Sequence, residues 1–161
     1  MKSKNNKYRI AEGICVVLLI VFIIFLFILN SGGTQKRVKE IAAPVLKAAD
    51  ISALQKKTAA DAAKVFGFDT QKEEGILYYA NDNIMDVSEL LIIKLKDEAD
   101  ASEFKEAIET HVTNQKNLFK NYAPDQYALL KDSIIEVSGN TLFYCTSKDA
   151  DAFYDAFKKA L

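Results

Sequence analysis

Residues Ile14 to Leu29 read ICVVLLIVFIIFLFIL, an apolar run of 16 residues without a single charge. No other stretch of the chain restricts its fate so strongly. A helix crossing a bilayer core of ~30 Å needs ~20 apolar residues, which the run approaches once Ala11 and Gly13 are added. The sequence therefore predicts a cytoplasmic basic tail over 1–10, a transmembrane anchor over 11–29, a linker over 30–35 and an extracytoplasmic domain over 36–161. The alternative is a long export signal, because Ser31 and Gly33 imitate the small-residue pattern of a cleavage site. Cleavage there would release a secreted domain. Cys15 lies at the near end of the run, so a lipoprotein cysteine is not indicated.

Four basic residues, Lys2, Lys4, Lys7 and Arg9, precede the run, against Lys36, Arg37 and Lys39 beyond it. This small excess favours a cytoplasmic N-terminus, and long domains translocate largely regardless of their charge. The chain beyond Gly33 has 128 residues, enough for one core and too few for two ordinary domains. Two cysteines, one inside the apolar run, exclude a disulfide scaffold, and Cys145 in its alternating strand context reads as a buried, inert thiol. From Thr34 onward 17 Lys+Arg face 21 Asp+Glu, a net charge of -4. An acidic domain with no basic stripe is repelled by a polyphosphate backbone, so nucleic acid is not an expected partner.

The domain reads as alternating helices and strand pairs. Val38, Ile41, Ala42, Val45 and Leu46 recur at helical spacing over 35–49, with Pro44 expected to kink or cut the helix. Thr58 caps a second helix over Ala59–Phe66 that stops at Gly67. The residues ILYYA after Gly75 form a strand, Asn81-Asp82-Asn83 a turn, and ELLIIKLK from Glu89 to Lys96 the clearest strand, with one face in the core and the other partly wet. A long helix comes next over 101–121, with Phe104, Ile108, Val112, Leu118, Phe119 and Tyr122 on one stripe. Pro124 opens a shorter helix. The strands IIEVS and TLFYCTS, joined by Gly139-Asn140, make a hairpin before the final helix. The fold class expected is α+β, with a four-stranded, mainly antiparallel sheet and its helices on one face.

Chemistry has few candidates. The chain lacks a Gly-rich phosphate loop, a nucleophile elbow and a C-x-x-C pair, and its one histidine excludes an H-E-x-x-H zinc site. The acidic stretch Asp97 to Asp100 lacks regular calcium-loop spacing, so neither a metal nor a cofactor is expected. Two groups are out of place. His111 and Gln115 fall within about 40° of Phe104 on a wheel of ~100° per residue, inside the apolar stripe. Glu89 shares the parity of Leu91, Ile93 and Leu95, which points it toward the helix-covered face. Either Glu89 reaches a solvated rim, or it is buried and takes hydrogen bonds from Gln115 or His111. Glu89, Gln115 and Tyr122 are accordingly the candidate ligand-binding residues, with no catalytic residue assigned.

Beyond this residue-level reading, the run from Ser88 to Leu161 resembles the domain of unknown function family 4358. The residues that carry the likeness are Glu89 opening a strand, Gln115 seven residues before Tyr122, the Asn121-Tyr122-Ala123-Pro124 corner, Tyr127, and Gly139-Asn140 before the last strand. The resemblance extends over nearly all of Thr34 to Leu161. It implies a small bacterial protein, largely of the Gram-positive kind, that is secreted or held at the membrane, and it brings no established activity. The expected function is a non-catalytic binding or interaction module at the cell envelope, attached to the membrane through Ile14 to Leu29 and meeting an envelope protein or ligand. The competing readings are an envelope-acting hydrolase using Glu89 and an accessory subunit of a membrane complex.

Overall fold

The computed structural model describes residues 16–22 and 37–161. The chain divides into two units, Met1–Gly33 and Thr34–Leu161. In the first, residues 16–22 are helical. The expectation of a transmembrane helix over 11–29 is corrected, because among the described residues no helix is long and apolar enough to cross a membrane. The tail 1–10, the linker 30–35 and the rest of the expected span lie outside the described residues.

The second unit is an α+β domain with α1 (Val38–Val45), β1 (Gln55–Lys57), α2 (Ala59–Phe66), β2 (Glu73–Ala80), β3 (Glu89–Leu95), α3 (Ala101–Phe119), α4 (Pro124–Lys131), β4 (Ile134–Ser138), β5 (Thr141–Thr146) and α5 (Ala150–Ala160). Its sheet has five strands in the order β1-β2-β3-β5-β4, every neighbouring pair antiparallel. The expected four-strand count misses β1. Its sequence, Gln-Lys-Lys, has no apolar alternation, and it joins the sheet by pairing Gln55 to Lys57 against Ala80 to Tyr78 of β2. A short charged edge strand is held by backbone hydrogen bonds and blunts the sheet against further pairing.

The helices cover both faces, which corrects the one-face expectation. One layer places Ala62 and Phe66 of α2 and Phe104, Ile108 and Val112 of α3 over Tyr78, Leu91, Ile93 and Tyr144. The other places Val38, Ile41 and Val45 of α1 and Phe153 and Phe157 of α5 over Leu77, Leu90, Ile92, Phe143 and Cys145. The central strand β3 is therefore buried on both sides, and this explains its nearly continuous apolar sequence. Lys94, expected on a wet face, is only 4% exposed. Its Nζ donates to Asn140 Oδ1 at 3.2 Å.

Local signals act where they were expected. Thr58 and Asp61 form a reciprocal capping box at the start of α2, and Gly67 ends the helix at φ 81, a left-handed conformation that suits glycine. Pro44 lies inside α1, which ends one residue later. The hairpin turn places Gly139 at φ 57. The stripe of α3 holds through Phe119, but Leu118 and Tyr122 are 61% and 58% exposed. There the helix has passed the sheet, and Phe119 instead joins Val87 and Leu130 in a small separate cluster.

Candidate functional site

Register builds the site. On β3, Glu89 lies between Ala80 of β2 and Thr146 of β5, and Leu91 lies between Tyr78 and Tyr144. All six point to the face covered by α2 and α3, because side chains alternate along a strand and antiparallel partners share a face. Ala80 is small and leaves room beside Glu89. The two tyrosines, one row away on either side, reach toward its carboxylate.

Tyr78 donates its hydroxyl to Glu89 Oε1 at 2.6 Å, and Tyr144 donates to Oε2 at 2.8 Å. His111 Nε2 of α3 lies 2.8 Å from the same Oε2. The side chains of His111 and Glu89 are 9% and 12% exposed. Three hydrogen bonds thus occupy three of the roughly four acceptor positions of the carboxylate, which is how a carboxyl group is accommodated under a helix layer. Behind Tyr144 the chain of hydroxyls continues. Thr146 Oγ1 donates to the Tyr144 oxygen at 2.9 Å, and Ser133 Oγ stands 2.8 Å from Thr146 Oγ1. The Thr146 proton goes to Tyr144 and the Ser133 proton to the Leu130 carbonyl at 2.7 Å, so the donors that run toward Glu89 are Thr146 and then Tyr144.

Phe66, the last residue of α2, seals this arrangement. Its ring meets His111 edge-on at 4.7 Å, Tyr78 at 5.5 Å and Tyr144 at 5.8 Å between centroids. Edge-to-face contacts of this kind fix the orientation of the rings whose polar atoms bond Glu89. Burial, and then the adjacent Glu89 charge, push the hydroxyls of Tyr78 and Tyr144 far above the ordinary tyrosine range, so both remain proton donors.

The cluster opens on one side into a groove of ≈ 460 Å³. Tyr78, Glu89, His111 and Gln115 line it, together with Asp61 of α2, Lys57 of β1 and Asn81, Ile84 and Asp86 of the loop between β2 and β3. That loop is braced by its own side chains. Asn81 Oδ1 accepts from the Asn83 amide at 2.9 Å, Asn81 Nδ2 donates to Asp86 Oδ2 at 2.8 Å, and the Val87 amide donates to Gln126 Oε1 of α4 at 2.9 Å. So held, it presents Ile84, 89% exposed, at the rim. Lys57 forms an ion pair with Asp82.

Of the three residues nominated from sequence, Glu89 lies at the centre of the network and Gln115 lines the groove beside it. The partner that α3 supplies to Glu89 is His111. Tyr122 stands apart, stacked on Phe119 at 5.4 Å and exposed. Phe66, Tyr78, Ser133, Tyr144 and Thr146 were not nominated. Strand parity placed the tyrosines on a face, but only the pairing of β2 and β5 with β3 brings them to Glu89. Cys145 is fully buried on the opposite face, and burial pushes its thiol up to about 12, as expected of an inert cysteine.

No curated protein and no solved structure matches the chain. The family defined as domain of unknown function DUF4358 matches residues 47–147, a range that holds all five strands, α2 to α4 and every residue of the Glu89 network. It is narrower than the span expected from the sequence, since α1 and α5 fall outside it. On this match the chain belongs to the domain of unknown function family DUF4358.

Proposed function

We propose that the domain is a non-catalytic binding module whose groove recognises a ligand carrying an ammonium group beside an apolar part. The observation that supports this reading is the convergence of Glu89, His111, Tyr78 and Gln115 on one groove of ≈ 460 Å³, a size suited to a small ligand or one side chain of a peptide. Its lining places Asp61, Asp86 and Glu89 against Lys57, whose charge is already met by Asp82. This balance favours cations. Exposed Ile84 and Val65 supply the apolar rim. A hydrolytic role for Glu89 is the weaker reading. Its oxygens are engaged by three donors, and Asp61, the acid of α2 at the groove, is committed to Thr58 in the capping box. Carboxylate-based glycoside cleavage needs a second acid free to act across the scissile bond.

His111 is the one histidine of the chain, so its ring resonances are an unambiguous probe. Titration with a lysine-containing tripeptide should move them saturably, and Gln115→Ala should weaken binding several-fold. An acidic tripeptide should leave them in place. Unmoved His111 signals with the basic peptide overturn the proposal, and chemical turnover of a bound ligand would overturn its non-catalytic part. An extracytoplasmic location is also part of the proposal, supported by the basic tail and apolar run, which together have the pattern of an export signal. Proteolysis of the domain in intact protoplasts tests it.

A further inference from the structure

On the face away from Glu89, a second groove of ≈ 320 Å³ opens between the start of α1 and strands β1 to β3. Its charged lining is Arg37 and Lys39 of the α1 start, Lys56 of β1, Lys94 of β3 and one acid, Glu74 of β2. The exposed cations Arg37, Lys39 and Lys56 against the one exposed carboxylate give a local charge of +2, inside a domain whose net charge from Thr34 onward is -4. Chance scatter of charges on an acidic surface does not favour this segregation. Like charges brought together by separate elements repel one another, and a bound anion relieves that repulsion.

The backbone shapes the same place. The register of β2 against β3 is irregular between Glu73 and Gly75, and Gly75 pairs with Lys94. A Cβ at position 75 would stand 3.2 Å from Val38 Cγ2, so the glycine lets the first turn of α1 lie close against the strand. Arg37, the N-cap of α1, makes no side-chain cap hydrogen bond, and the first turn of α1, the positive end of the helix, lines the groove through Arg37, Val38 and Lys39. Thr141 lies directly across from Lys94 in β5, and its buried hydroxyl has no hydrogen-bond partner among the described residues.

We infer that this groove is an anion-binding site for a small molecule bearing several phosphate or carboxylate oxygens. The guanidinium of Arg37 can take two oxygens at once, the ammonium groups of Lys39 and Lys56 act as adjustable point charges, and Val38 and Leu77 form an apolar floor. The exposed cations make affinity fall with added salt. The site is separate from the Glu89 groove and does not depend on its ligand.

The test uses the full chain at constant ionic strength, with pyrophosphate and citrate as probes and melting temperature as the readout. A saturable rise with an apparent Kd below about 1 mM is expected for at least one probe. The stronger probe identifies phosphate or carboxylate as the preferred chemistry. Lys39→Glu and Lys56→Glu, both at exposed positions, should weaken binding at least tenfold, while Lys105→Gln on α3 should not. The His111 signals should stay unmoved, which separates this site from the first groove. Absence of saturation with both anions, or wild-type affinity in the two charge reversals, would overturn the assignment.

Discussion

On one side of β3, Leu90 and Ile92 pack among apolar side chains from α1 and α5, whereas on the other Leu91 and Ile93 share their layer with a carboxylate, an imidazole and two phenols. The contrast shows how differently two equally covered faces can specify the position of their helices. Dispersion and apolar burial are nearly indifferent to small rotations, so the α1/α5 layer is set by shape. Hydrogen bonds lose strength within a few tenths of an ångström and a few tens of degrees, so the α2/α3 layer is also set by direction. The groove at Glu89 occurs on the second kind of face, where fixed polar atoms are available to a ligand. The DUF4358 match includes the strands and the helices of that face, and excludes α1 and α5.

The largest effect should come from volume on the apolar face. Phe143 is fully buried and stacks on Phe157 at 4.9 Å. Phe143→Ala should cost about 3 to 5 kcal/mol in chemical denaturation, and Phe143→Leu much less, because that face responds to volume alone. On the polar face the opposite ordering holds, and a change that keeps volume should be costly. Glu89→Gln replaces an acceptor oxygen with a donor amide facing donor groups and should cost about 2 kcal/mol. A double-mutant cycle of Glu89→Gln with His111→Asn should give a coupling of roughly 1 kcal/mol or more. Additive effects would show that the two faces do not differ as described.

The phenols give the comparison a pH dependence. Tyr144 has a folded pKa raised above its unfolded value, so its contribution is fully present below about pH 10 and is lost as pH rises further, when the denatured chain ionises and the native hydroxyl does not. At pH 8, Tyr144→Phe should cost about 1 to 2 kcal/mol through the lost bonds to Glu89 and Thr146. At pH 11 the gap between wild type and variant should narrow by roughly 1.4 kcal/mol, since phenylalanine has no proton to lose. A gap independent of pH would contradict the burial of this hydroxyl. The smallest effects belong beyond the sheet, where Leu118→Ala and Tyr122→Ala should each stay within about 0.5 kcal/mol. A larger loss at Tyr122 would return it to the functional site.

Signals carried by neighbouring residues were sufficient for much of the fold. The Thr58/Asp61 capping box, Gly67, Pro124 at the start of α4 and the Gly139-Asn140 turn each act within a few residues, so the sequence alone located the ends of α2, the beginning of α4 and the last hairpin. Period-two and helical spacing likewise sent Glu89 and His111 toward one layer. The tertiary structure decided the rest. Lys94 looked wet because charge is read one residue at a time, yet α1 and the β4–β5 turn at Asn140 enclose it. Leu118 and Tyr122 followed the stripe of α3, but periodicity does not tell where a helix outruns its sheet. Tyr78 and Tyr144 are 66 positions apart and meet at Glu89 only because both pair with Leu91. Strand register is a long-range choice, made when the covered faces and their hydrogen bonds are satisfied together, and no local pattern in the chain encodes it.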